Sequence, residues 1–238
     1  MSKLIISVAL IALSANTCAA EERPLSGLNI LVLGESHMSI SNYLISNLPN
    51  ELVEKGAKVF SYGACGASAG DWLKTKSVPC SASRVDVGTI RERPSDVATT
   101  QPISNLITKH QPNLILLIMG DTMASYDSNT IPKSWVWQTV SALTHEIKAQ
   151  GMRCVWVGPP WGEDGGKYKK TNARVREFSD YLSTIVAPCT YIDSLSFAKM
   201  GEWKTFDGEH FDKWGYESWS KSITNALITP EILKTLKQ

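Results

Sequence analysis

The chain has 238 residues, with 24 Lys+Arg against 23 Asp+Glu, 43% hydrophobic and 20% charged residues. That apolar-rich, near-neutral composition excludes disorder as the dominant state, and a formal charge of +1 offers no basic surface to argue for a nucleic-acid partner. The length suits one domain, and five cysteines are too few for a disulfide-built miniature fold.

Residues 1–20 read as a signal peptide. Lys3 is a short basic region, Leu4 to Leu13 is an apolar run broken only by Ser7, and Cys18-Ala19-Ala20 offers small residues before cleavage at Glu21. The run is shorter than the roughly 20 apolar residues of a membrane-spanning helix, and no later stretch is long enough. The expectation is a periplasmic or secreted protein with no stable membrane insertion. Residues 21–238 then form a single domain that keeps Cys65, Cys80, Cys154 and Cys189. An even cysteine count in an exported chain implies disulfides, with three possible pairings.

Leu28 to Leu33 is nearly continuous apolar sequence ending at Gly34, the pattern of a strand buried on both faces. Ile40 to Lys55 carries helical spacing at Tyr43, Leu44, Leu48, Leu52 and Val53, and stops at Gly56. Ala57 to Tyr62 reads as a second strand, Asn113 to Met119 as a third, Met152 to Val157 as a fourth and Thr190 to Ile192 as a short fifth. Helices are expected over Trp135 to Gln150, Thr171 to Val186 and Trp214 to Leu227, with a short one after Pro230. Alternating strands and helices predict one parallel sheet covered on both faces. Residues 64–98, rich in Gly, Ser, Ala and Asp, break the rhythm and read as a long functional loop.

Two segments carry candidate chemistry. Gly34-Glu35-Ser36-His37 directly follows the first strand, where ligands bind in open α/β sheets. Asp207-Gly208-Glu209-His210 places an acid and an imidazole three residues apart on a short loop before the last long helix. Asp207 can then hold one imidazole nitrogen while the other activates a serine, which is a weak nucleophile alone. A metal site with Glu209 and Asp212 is the weaker reading, because no second histidine lies nearby. His37 reads as locally structural, and His110 and His145 as helix-surface residues.

In this order the segments resemble the SGNH (GDSL-like) hydrolase family. Gly34-Glu35-Ser36 resembles its Gly-Asp-Ser block, with Glu for Asp, and Gly63-Ala64-Cys65-Gly66 its Gly-x-x-Gly block. Gly120-Asp121-Thr122 stands where the family usually has Gly-x-Asn, and Asp207 and His210 match Asp-x-x-His, followed by Trp214-Gly215-Tyr216. The nucleophile elbow of the other common serine-hydrolase fold is not matched, because Met38 occupies its final glycine position.

The resemblance implies a flavodoxin-like three-layer α/β/α sandwich with a central parallel sheet of about five strands. It implies Ser36 as nucleophile, His210 as base and Asp207 as its orienter. The oxyanion hole would comprise the amides of Ser36 and Gly66 with the Thr122 hydroxyl in place of the usual asparagine amide. Asp121 is unsuited there, since its carboxylate would repel the oxyanion. No cofactor or metal is required.

In a flavodoxin-like strand order the fourth and fifth strands are neighbours, which pairs Cys154 with Cys189 and leaves Cys65 with Cys80. The expected substrate is an O-acyl ester, foremost an O-acetyl group on a carbohydrate or cell-envelope glycan. That choice rests on export, the absence of a long apolar lid, and loop tryptophans Trp72 and Trp161 as candidate sugar contacts. The alternatives are acyl transfer to a glycan hydroxyl, a lipid esterase, or a non-catalytic glycan-binding module. The basic run Lys167, Lys169, Lys170, Arg174 and Arg176 reads as a solvated face, with an anionic polysaccharide as the rival reading.

Overall fold

A computed structural model describes residues 23–236; the expected signal peptide, residues 1–20, lies outside them. The elements are β1 (Asn29–Gly34), α1 (Leu44–Glu54), β2 (Lys58–Ala64), β3 (Cys80–Val85), β4 (Arg91–Pro94), α2 (Ile103–His110), β5 (Leu114–Ile118), α3 (Asp121–Ala124), α4 (Lys133–Ala149), β6 (Arg153–Val157), α5 (Asn172–Ile185), β7 (Thr190–Ile192), α6 (Lys213–Leu227) and α7 (Pro230–Leu236). One seven-stranded sheet runs in the order β4-β3-β2-β1-β5-β6-β7. The five strands β2-β1-β5-β6-β7 are parallel, and β3 and β4 join antiparallel at one edge.

The apolar runs in the sequence follow from burial on both faces. Leu31 and Leu33 of β1, Ile115 and Leu117 of β5, and Cys154 and Trp156 of β6 enter one core with side chains of α2, α4 and α5. Their neighbours Ile30, Val32, Leu114, Leu116, Val155 and Val157 enter the opposite core, under α1 and α6. Successive strand residues point to opposite faces, so a doubly covered strand leaves no polar position. Each fully buried large side chain contributes about 1.5–3 kcal/mol, and these two cores hold the sheet rigid beneath its loops.

Two expectations are corrected here. The sheet has seven strands because part of the supposed loop 64–98 folds as β3 and β4. β4, exposed throughout, carries Arg91, Glu92, Arg93 and Pro94, a charged edge that discourages further pairing. Of the supposed solvated basic run, Lys170 is fully buried, and the half-buried Arg174 donates to the carbonyls of Ala124, Ser125, Ser128 and Asn129. Both disulfides, Cys65–Cys80 and Cys154–Cys189, are present as expected. No helix among the described residues is long and apolar enough to cross a membrane.

Candidate active site

The site lies at the carboxyl ends of the parallel strands. β1 ends at Gly34, and a single 3-10 turn, Ser36–Met38, lifts Ser36 into a cleft of about 700 Å³. The turn sits directly on β2: any side chain at Gly63 would overlap the Met38 backbone. Gly66, at φ +66°, follows β2 and faces open space; there is room for a side chain there, but its backbone conformation strains any residue other than glycine. The Asp207–His210 loop turns at Gly208, φ +92°, packed against Gly166.

Ser36, His210 and Asp207 form one hydrogen-bonded chain. Asp207 Oδ2 lies 2.8 Å from His210 Nδ1, and Ser36 Oγ lies 2.8 Å from His210 Nε2. A carboxylate only accepts, so Nδ1 carries the proton and Nε2 accepts from the Ser36 hydroxyl. Burial pushes the Asp207 carboxyl up, but the amides of His210 and Glu209 and the His210 ring outweigh it and hold the carboxyl below its usual range. The amides of Ser36 and Gly66 donate to no protein group among the described residues, and both residues line the cleft beside Thr122.

Glu35, read in the sequence only as the Glu that replaces Asp in the first block, bridges two turns of the site. Its buried carboxylate crosses to the start of α3 and accepts from the amides of Gly120 (2.7 Å), Asp121 (2.7 Å) and Thr122 (2.8 Å). It thereby ties the Ser36 turn to the Thr122 turn, using the favourable N-terminal end of a helical turn. Burial and the nearby Asp121 push its carboxyl up to about 7, against the pull of Thr122 and the Gly120 amide.

Beneath the triad, His37 Nε2 donates to Asp121 Oδ2 at 2.9 Å, and its Nδ1 accepts from the Tyr216 hydroxyl at 2.9 Å. Burial pushes the His37 imidazole down to about 4, so it stays neutral. Asp121 also pairs with Lys170 Nζ at 2.7 Å and accepts from Tyr126. Burial opposes its charge, but Lys170 and His37 hold Asp121 well below the usual carboxylate range. Glu209 is buried beside them, and burial, Asp121, Glu35 and Asp207 push its carboxyl up to about 9 against the pull of Lys170. His37, Asp121 and Glu209 bring potential ligand atoms within 4.8 Å of one another, yet Lys170 already supplies the positive charge there. Asp212 stands apart as the cap of α6, accepting from Gly215 N at 2.8 Å.

The tryptophan expectation is corrected. Trp72 is 1% exposed in the core beneath the sheet, and Trp161 is buried with Nε1 donating to the carbonyls of Leu195 and Ala198. Neither lines the cleft. The aromatic groups that do are Tyr126, Tyr43, stacked on His210 with centroids 5.3 Å apart, and Tyr168, edge-on to His210 at 5.3 Å. Exposed Phe206 flanks Tyr43 at 5.8 Å. His110 packs on Phe60 and bonds the Tyr62 hydroxyl at 2.7 Å, while His145 is exposed.

The fold is that of the SGNH, GDSL-like hydrolases. A GDSL-like lipase of Bacteroides thetaiotaomicron superposes with a TM-score of 0.56 at 10% identity, covering 84% of this chain and 87% of the other. An acetyl xylan esterase, AlAXEase, superposes with a TM-score of 0.56 at 12% identity, covering 84% of this chain and 100% of the other. No protein-family model matches the chain. It is 39% identical over 212 residues to protein BcsX of Komagataeibacter xylinus, covering 88% of this chain and 80% of that relative. The chain belongs to the BcsX family.

Proposed function

We propose that this protein is an exported serine ester hydrolase that cleaves O-acyl esters, foremost O-acetyl groups, on a carbohydrate. The observation that carries this reading is the Ser36–His210–Asp207 chain, with unbonded Ser36 and Gly66 amides beside it in an open cleft. Ser36 Oγ attacks the ester carbonyl carbon while His210 Nε2 takes its proton. The oxyanion is stabilised by the amides of Ser36 and Gly66, with the Thr122 hydroxyl as third donor. The bond to the alcohol oxygen then breaks, and His210 returns the proton to that oxygen. Water, deprotonated by His210, attacks the acyl-Ser36 carbonyl, the bond to Ser36 Oγ breaks, and His210 returns the proton to Oγ as the acid leaves.

Export is supported by the leader-like first 20 residues and by the two disulfides. The acetyl xylan esterase among the structural neighbours supports an acetylated sugar, as does the aromatic wall around His210. Transfer of the acyl group to a glycan hydroxyl would use the same acyl-Ser36. The test is a panel of p-nitrophenyl acetate, butyrate and octanoate and an acetylated xylo-oligosaccharide, with and without a sugar acceptor. The reading expects acetate release from the first and last, fastest among short acyl chains. Absence of any ester cleavage by folded protein would overturn it, and acylated acceptor in place of free acid would select transfer.

A further inference from the structure

The carboxyl of Glu209 has a place in the site that the triad does not explain. Its Oε1 lies 3.6 Å from His210 Nε2, beyond hydrogen-bond range, and its side chain is only 10% exposed, on the cleft wall. No group among the described residues donates a hydrogen bond to that carboxyl. An unpartnered buried carboxyl is costly unless it is neutral or meets a ligand. Position decides which part of a substrate it would meet. The alcohol oxygen that receives the proton from His210 must stand about 3 Å from Nε2. A carboxyl oxygen 3.6 Å from the same nitrogen is therefore within reach of the alcohol half of the ester. The same half is walled by Tyr43 and Tyr168, which flank the His210 ring, and by exposed Phe206 beyond Tyr43.

We propose that Glu209 hydrogen-bonds a free hydroxyl beside the ester, and with Tyr43, Tyr168 and Phe206 forms a subsite for a sugar-type alcohol. A polyol suits both parts: its hydroxyls meet the carboxyl, and its C–H faces meet the aromatic rings. This subsite rests on the esterase reading and adds to it a residue that selects the alcohol. The charge environment keeps the donor form: Asp121 (α3), Glu35 (the turn after β1) and Asp207 (its own loop) oppose ionisation, and only Lys170 favours it. His37 faces the same cluster in neutral form, and the His210 imidazole lies alongside.

The test compares kcat/KM for a monoacetylated methyl glycoside and for p-nitrophenyl acetate in the native protein and in Glu209→Gln and Glu209→Ala. The sugar ester has neighbouring hydroxyls and the phenyl ester has none. The proposal expects Glu209→Ala to lower the sugar-to-phenyl ratio roughly tenfold, the scale of one lost hydrogen bond. Glu209→Gln, which keeps a neutral donor, should hold most of that ratio. Equal losses on both substrates in Glu209→Ala, or a Gln variant as impaired as the Ala variant, would overturn the subsite. If the native protein cleaves neither ester, the esterase reading itself fails, a result distinct from either of these.

Discussion

His210 is held by the residue it works with. The carboxylate of Asp207 accepts from its ring at 2.8 Å and from the amides of Glu209 and His210 at 3.0 and 2.8 Å, so loop and imidazole are oriented together. Asp207→Asn keeps a side-chain oxygen for the amides but loses the charge that fixes the tautomer. It should therefore cost less than His210→Ala, which removes the base; losing a triad orienter can cost up to about 10⁴-fold. Steady-state kinetics on both folded variants check this, and equal or reversed losses contradict the roles. Thr122 is bound differently. Its amide is committed to Glu35, and its side chain pulls that carboxyl down against the larger effect of burial. A lost oxyanion donor typically costs about 10²–10³ in turnover, and a hydroxyl with one freely rotating hydrogen should fall toward or below the lower end of that range. We expect Thr122→Val to lower kcat about tenfold; full retention would leave the hole to the amides of Ser36 and Gly66.

Legibility in the sequence follows the same divide. Asp207 and His210 were readable because they meet within three residues, and Ser36 because an apolar run marks the strand end before it. Glu35 and Lys170 were not, because their partners lie far along the chain: Glu35 reaches the Gly120 amide across 85 positions. Glu209 showed in sequence only as a weak metal candidate, since what makes it notable is its burial beside His210 and among other acids.

The elements show where periodicity informs and where it fails. The five parallel strands were legible since both faces are apolar, whereas β3 (Cys80-Ser81-Ala82-Ser83-Arg84-Val85) has too little apolar sequence to separate it from a loop. Its pairing with β2 is nevertheless what positions Gly66, because Cys65 N donates to Cys80 O at 2.8 Å and the Cys65–Cys80 disulfide joins the same two strands. The Cys154–Cys189 link instead ties β6 to the residue before β7, far from the cleft. Replacing Cys154 and Cys189 together with serine should lower stability by about 2–4 kcal/mol while kcat holds. Replacing Cys65 and Cys80 together should lower kcat as well, because Gly66 loses its tether. Chemical denaturation paired with kinetics separates the two, and identical kinetic losses would contradict the division. Trp72 and Trp161 mark the limit of composition: a tryptophan in a loop can face the core as readily as a ligand, and here both do.

At the scale of the molecule, titratable groups buried between the sheet ends and the cleft make stability depend on pH in both directions. His37 is held near 4 against an ordinary 6.5, so the folded chain binds fewer protons there and loses stability as pH falls from 6.5 through 4. Glu35 and Glu209 are raised from 4.5 to about 7 and about 9, so they keep protons the unfolded chain releases, and stability falls as pH rises from 4.5 through those values. Above about pH 4.5 the two raised carboxyls outweigh the one lowered imidazole, so thermal unfolding across pH 4–9 should show the highest Tm toward the acid end and a decline toward pH 9, and Glu209→Gln should flatten that decline; a native Tm that climbs steadily to pH 9 would contradict the raised carboxyls. This architecture sets the Ser36 hydroxyl against His210 in the cleft, and its reactivity is the central claim. A fluorophosphonate probe followed by peptide mass mapping tests it most directly. The account predicts one adduct, on Ser36, abolished together with ester cleavage by Ser36→Ala and strongly slowed by His210→Ala. Ester cleavage that survives in folded Ser36→Ala, or an adduct on any other residue, would contradict it.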